Sequence, residues 1–286
     1  FVTGGAASLG LEGTSKVIVN NEARQLGVSN VIFQKRPGIR AATIPLLFQY
    51  FGHVFFHKEY EENYFADVME LLKEDCDYAY LCFTPEFNSI SRISRSWGLL
   101  KSVTLALTSD DLDKWGKGFR DDVKNKINKA KREKVRIQKI ESIPMKLWET
   151  SYHRKGLKPP IESDSLENWC KILVEKSLLT IYAATVGDIL AAFRGQLIYG
   201  GFAYDWIAGS DPDYHSLGTN QLLMAEIGND LKNKNIKIWD LVDARIKSIA
   251  DFKKSFGASE YYHWHAYKGF NIKGKLFGAL RNIKNA

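Results

Sequence analysis

Between Leu178 and Gly257 the apolar spacing switches repeatedly between a period of two and a period near three and a half. Leu178–Thr185 and Ile189–Tyr199 alternate as strands. Val186-Gly187-Asp188 between them is a hairpin signal, because such residues tolerate the positive φ of a tight turn. Gly200-Gly201 sets off a third strand, Phe202–Ala208. After Leu217-Gly218-Thr219-Asn220 the spacing becomes helical over Asn220–Lys232. A strand, Ile236–Leu241, and a helix, Ile246–Ser255, close the run. This alternation of strands and helices reads as an α/β (α+β) class, with sheets flanked by helices.

Upstream, Val28–Lys35 and Ala41–Phe51 read as strands about a Pro37-Gly38 turn, Phe65–Lys73 as a helix, and Tyr78–Phe83 and Val103–Leu107 as buried strands. Thr108-Ser109-Asp110 is a helix-start cluster. Leu112, Trp115, Phe119, Val123, Ile127 and Ala130 then predict one long basic helix to Lys134. Val135–Ile140 is a strand, Met145–His153 and Leu166–Lys176 are helices, and Tyr261–Tyr267 is a late strand before a basic amphipathic tail, Phe270–Ile283. At 286 residues the chain accommodates two domains of about 140 residues. The expected division is 1–140, including the helix 110–134, and 141–286 with the tail.

Hydrophobic content of 45%, with 26% charged residues, fits an ordinary globular protein. No run approaches the ~20 apolar residues of a membrane-spanning helix, and no leader pattern is visible. Cys76, Cys82 and Cys170 form no Cys-x-x-Cys pair. A disulfide framework and a zinc ribbon are therefore not expected, and a reducing, cytoplasmic setting is. The net charge of +7 favours an anionic partner such as a nucleotide, CoA, tRNA or a membrane surface. Phe1–Gly10 resembles the Thr-Gly-x-x-x-Gly-x-Gly opening of short-chain dehydrogenases. Ser8, however, stands at the middle glycine, and no Tyr-x-x-x-Lys follows.

Four pieces together resemble the FemABX transferases of the GNAT (N-acyltransferase) superfamily, from about Val103 to the C-terminus. They are Phe119–Ala130 followed by Lys134-Val135; Trp206 with Gly209-Ser210; Tyr214 with Gly218–Leu223; and Asp240 with Phe252-Lys-Lys-Ser-Phe-Gly257. The resemblance implies tandem GNAT-like domains and transfer of an activated acyl or aminoacyl group to an amine. The implied acceptor is a cell-envelope precursor of the peptidoglycan type or an amino sugar. The donor would be aminoacyl-tRNA or acyl-CoA, used as co-substrate with no bound cofactor.

Such a reaction needs positioning and oxyanion stabilisation, and neither a metal nor a covalent nucleophile. By resemblance, Phe252 and Lys253 lie beside the reacting carbonyl; the competing reading of Lys253-Lys254 is an exposed pair on a helix. Asp240, at a strand's C-terminal end, is a candidate general base or a helix cap. Tyr204 and Trp206 share a strand face that either stacks substrate or joins the core. Tyr214, Gly218 and Asn220 form a turn that either presents N–H groups to a phosphate or holds an Asn or Thr cap. With one glycine, this turn leaves CoA use open.

Arg120 heads a basic helix that either contacts phosphates, those of tRNA included, or is a solvated face. His263-Trp264-His265 puts two histidines on one strand face. With no third ligand nearby in sequence, they read as surface histidines and no metal is expected. The tail either docks on the protein or touches the inner face of a membrane. A non-catalytic nucleic-acid or membrane binder is the reading from another class.

Overall fold

A computed structural model describes residues 12–19, 25–36, 38–43, 52–55, 68, 72–83 and 97–285, except 155 and 244. The Phe1–Gly10 motif, most of the helix expected over 65–73 and positions 44–51 of an expected strand lie outside the described residues. Contacts divide the chain into two compact units, Phe1–Ser102 with Tyr262–Ala286, and Val103–Tyr261. Residue 140, the expected domain boundary, falls inside the second unit. It ends a strand whose hydrogen-bonding partner comes later in that same unit.

In the first unit, β1 (Glu12–Val19) pairs antiparallel with β2 (Gln25–Arg36). β2 pairs antiparallel with both β3 (Ile39–Thr43) and β4 (Gly52–Phe55). Gly38, at φ 75°, makes the turn from β2 to β3. β5 (Tyr78–Cys82) lies parallel to β3, and Tyr78, Ala79, Leu81 and Cys82 are all buried.

β6 (Gly98–Thr108) leads into the second unit. Thr108 caps α1 (Ser109–Asp113) through a reciprocal box with Asp111. The single helix expected over 110–134 is in fact two. α1 ends, the chain turns through Gly116 at φ 84°, and α2 (Asp121–Arg132) begins after Gly118. This break sets Trp115 into the core. Its Nε1 donates to the Ala225 carbonyl at 2.9 Å, and its ring meets Phe119 at 4.6 Å. α2 buries Val123, Ile127 and Ala130, leaving most of its basic residues exposed.

The unit continues with β7 (Arg136–Ile140), α3 (Met145–His153), α4 (Ser163–Glu175), β8 (Leu179–Val186), β9 (Ile189–Tyr199), β10 (Phe202–Ser210), α5 (Thr219–Asn233), β11 (Ile238–Asp243) and α6 (Lys247–Lys254). Its strands run in the order β6-β11-β10-β9-β8-β7, antiparallel except between β10 and β11. Both sheet faces are covered. Tyr182, Ala184 and Ala192 join one core with residues of α1, α2 and α5. The alternate residues Ile181, Ala183 and Phe193 are equally buried on the other face. There α3 packs on β10 and α4 on β8, contributing Trp148 and Trp169.

The chain returns to the first unit along β12 (Ser259–Gly269), antiparallel to β5, and ends in α7 (Ile272–Asn285). His263, expected at the surface, is 2% exposed. α7 docks through glycines. A Cβ at Gly274 would sit 1.8 Å from the Asp77 carbonyl oxygen, and Gly278 faces the Tyr78 ring. Phe277 completes this contact edge-on to Tyr78 at 5.2 Å. Ile272, Leu276 and Leu280, apolar residues of this amphipathic tail, are exposed. Among the described residues no helix is long and apolar enough to cross a membrane.

Candidate active site

β10 and β11 are hydrogen-bonded in parallel only from Phe202–Tyr204 to Ile238–Asp240, although both strands run further. Beyond Tyr204 and Asp240 they part. Each strand carries the irregularity that lets it turn away. In β10, Asp205 pairs with Gln196 and Ile207 with Gly195, so Trp206 is an extra, bulged residue. In β11 the register against β6 breaks between Asp240 and Asp243, and Val242 adopts φ 64°. A left-handed β-branched residue stores backbone strain, which concentrates at functional sites. The C-terminal ends of parallel strands are also where open α/β sheets bind ligands.

Asp240 holds that strained turn. Its Oδ1 accepts from Thr104 Oγ1 at 2.6 Å and from the Val242 N–H at 2.7 Å, and the residue is 3% exposed. It caps no helix, since Ile246 occupies the N-cap of α6. Lys253 is the buried cation here, 5% exposed, with Nζ 3.3 Å from the Val242 carbonyl oxygen, to which it donates. Lysine is rarely buried unless its ammonium is paired. Lys254 is exposed and pairs with Glu260 at 2.5 Å. Phe252 meets Phe256 at 5.2 Å, and the Arg194 guanidinium lies 5.5 Å from the Phe252 ring centre.

Arg194 belongs to a polar chain that sequence reasoning missed. It forms an ion pair with Asp205, both side chains being largely buried. Gln196 Nε2 donates to Asp205 Oδ1 at 2.7 Å, and Trp239 Nε1 donates to Gln196 Oε1 at 2.8 Å. Pairing of this kind fixes geometry where unpaired charges would be costly. Its visible signal was Arg194 and Gln196 alternating within an otherwise apolar strand.

The bulge ends the simple alternation of Tyr204 and Trp206. Tyr204 stands at the fork, half-buried, while Trp206 packs edge-on against Trp169 at 5.3 Å. Tyr214 lies in the 3₁₀ turn Pro212–Leu217 that follows β10, and its carbonyl oxygen accepts from Thr219 Oγ1 at 3.2 Å. Ser210 Oγ and His215 Nε2 are 2.8 Å apart. Burial, reinforced by Arg154, holds the His215 imidazole below its ordinary range.

The cap of α5 is Gly218 at φ 80°, with no side-chain cap bond, so the expected Asn or Thr cap is absent. Asn220 lies within the first turn. A Cβ on Gly218 would come within 2.3 Å of the Lys126 carbonyl oxygen, so glycine here serves close packing of the turn on α2. Arg120, at the N-cap of α2, is exposed and engages Asp122 through Nε and Nη2 at 3.0 and 2.9 Å. The fork therefore gathers Tyr204, Asp240, Phe252 and Lys253. The residues from Tyr214 to Asn220 form the turn beyond β10, and Arg120 starts a separate helix.

Residues 117–254 match the acetyltransferase (GNAT) domain family, a span that includes every candidate residue from Arg120 to Lys253. No curated protein matches the chain at a significant level. Among solved structures, FemX is similar at 10% identity over 91% of this chain and 90% of its own, with a TM-score of 0.67. L-PGS from Bacillus licheniformis is similar at 10% identity, covering 93% and 87%, with a TM-score of 0.60. A tandem GNAT protein from the clavulanic acid biosynthesis pathway is similar at 9% identity, covering 91% and 84%, with a TM-score of 0.51. At such identities the likeness is one of fold. The fold is thus a FemX-like GNAT fold, and residues 117–254 within it match the GNAT domain family.

Proposed function

We propose that this protein is an N-acyl or aminoacyl transferase of the FemABX type, moving an activated group onto an amine of a cell-envelope precursor. The observation that carries the reading is Lys253, a lysine buried where two parallel strands part and bonded to the strained turn of one of them. In the reaction the neutral amine attacks the donor carbonyl carbon, and that carbonyl's π pair moves onto oxygen. Lys253 stabilises the resulting oxyanion. Collapse of the tetrahedral intermediate expels the donor's thiolate or ribose oxygen, which takes up the proton lost by the amine.

Asp240 serves as a positioning residue rather than the general base. Its Oδ1 already accepts two hydrogen bonds, and these orient the Val242 carbonyl that receives Lys253. Phe252, held between Phe256 and Arg194, borders the site. Tyr204 lines the fork. Tyr214, Gly218 and Asn220 border the donor.

A second reading, acyl-CoA as donor to an amino sugar or small amine, is favoured by the start of α5. Its first turn carries no acidic residue and no side-chain cap, which suits a phosphate. Mass analysis after incubation with acyl-CoA or aminoacyl-tRNA and an amine pool separates the donors. Lys253→Met is expected to lower kcat about 10²- to 10³-fold while the protein stays folded. Full activity in that variant removes the assignment. No transfer from either donor, with salt-sensitive binding to tRNA, favours a non-catalytic binder.

An envelope acceptor also accounts for α7. Exposed Ile272, Leu276 and Leu280 recur every fourth residue beside exposed Lys273 and Lys275, the pattern of a helix that lies on an anionic membrane surface. The protein would then work at the inner membrane face.

A further inference from the structure

In the first unit, the register of β5 against β12 sets His265 directly opposite Cys82. His263, two residues along, projects from the same sheet face. Cys82 and His263 are buried and His265 is half-buried. The Cys82 Sγ lies 3.6 Å from His265 Nε2. One potential ligand atom from each of the three residues lies within 4.8 Å of the others. Two ligands on one tetrahedral zinc ion, with bonds of ~2.3 Å to sulfur and ~2.0–2.1 Å to nitrogen, stand about 3.6 Å apart. The Cys82–His265 pair already has that spacing.

We propose that Cys82, His263 and His265 bind one borderline-soft divalent cation, zinc, tying β5 to β12. A thiolate with two imidazoles suits zinc and disfavours the all-oxygen preference of calcium and magnesium. On binding, the Cys82 thiol gives its proton to solvent as the sulfur–metal bond forms. Three protein ligands leave a fourth tetrahedral position for water. The absence of a third ligand near His263-Trp264-His265 in sequence is made good by the fold, which returns Cys82 from a strand far upstream. The site stands independently of the transferase reading.

Cobalt titration of chelator-treated full-length protein tests it. One cobalt per chain should bind, with a thiolate-to-cobalt charge-transfer band that zinc abolishes, and zinc should raise the melting temperature. Cys82→Ser should lose the band, and His263→Ala with His265→Ala should weaken binding at least about tenfold. Cys170→Ser should keep both signals, because burial pushes that thiol up to about 12 and Cys76 up to about 11. Absence of the band in folded wild-type protein overturns the proposal without recourse to any variant. Equal cobalt affinity in wild type and a folded Cys82→Ser protein overturns it as well.

Discussion

Lys253 and Lys254 are consecutive, yet one is buried against a carbonyl and the other is paired in solvent. Such differences decide which side chains can be changed without consequence. Gly218→Ala combines a Cβ at 2.3 Å from the Lys126 carbonyl oxygen with a φ of 80°; denaturant unfolding should show a loss of about 2–3 kcal/mol. Asp230 gives a prediction in pH. Burial alone would raise its carboxyl, but hydrogen bonds from Tyr182, Lys139 and Lys234 outweigh it and bring the value down to about 2. A depressed carboxyl contributes stability above its ordinary value of 3.8, and that contribution drains away as pH falls toward about 2. Asp230→Asn should therefore cost on the order of 1 kcal/mol at pH 7, after screening of its exposed lysine partners. Melting curves of the two proteins should converge at the acid end.

At the scale of elements, α7 offers the clearest separation of two faces. Glycines at 274 and 278 allow the close approach to β5, and Ile272, Leu276 and Leu280 are left outside. Replacing Leu276 and Leu280 by glutamate should abolish co-sedimentation with anionic vesicles while leaving the melting temperature nearly unchanged; undiminished binding would remove the membrane role. Much of this level was legible in the sequence. From Arg136 to Gly269 the strands and helices fall within a few residues of where periodicity put them, because their apolar faces are long and regular. The helix over 110–134 misled because Trp115 and Phe119 continue its spacing across two glycines, although the tryptophan belongs to a turn. The fork was legible only as a strand–turn–helix–strand order. A bulge changes the alternation by a single residue at Trp206, and the left-handed turn at Val242 leaves no mark in residue type. The neighbourhood of Cys82 and His265 is a matter of strand pairing across most of the chain, which local spacing does not encode.

For the whole molecule, all nine candidate site residues fall in the continuous unit Val103–Tyr261. A fragment of that span should unfold cooperatively by calorimetry, because the hydrophobic core from Leu105 to Ala258 lies wholly within it. The other unit combines residues up to Ser102 with those from Tyr262 onward, and among the described residues β5 has its antiparallel neighbour in β12. During synthesis on a ribosome, the unit Val103–Tyr261 would therefore be folded while β5 still waits for β12. Through that interval β5, with all but one of its residues buried in the finished unit, has an edge open to the wrong partner. Expression yield, more than activity, is where changes in residues 259–269 should first be felt.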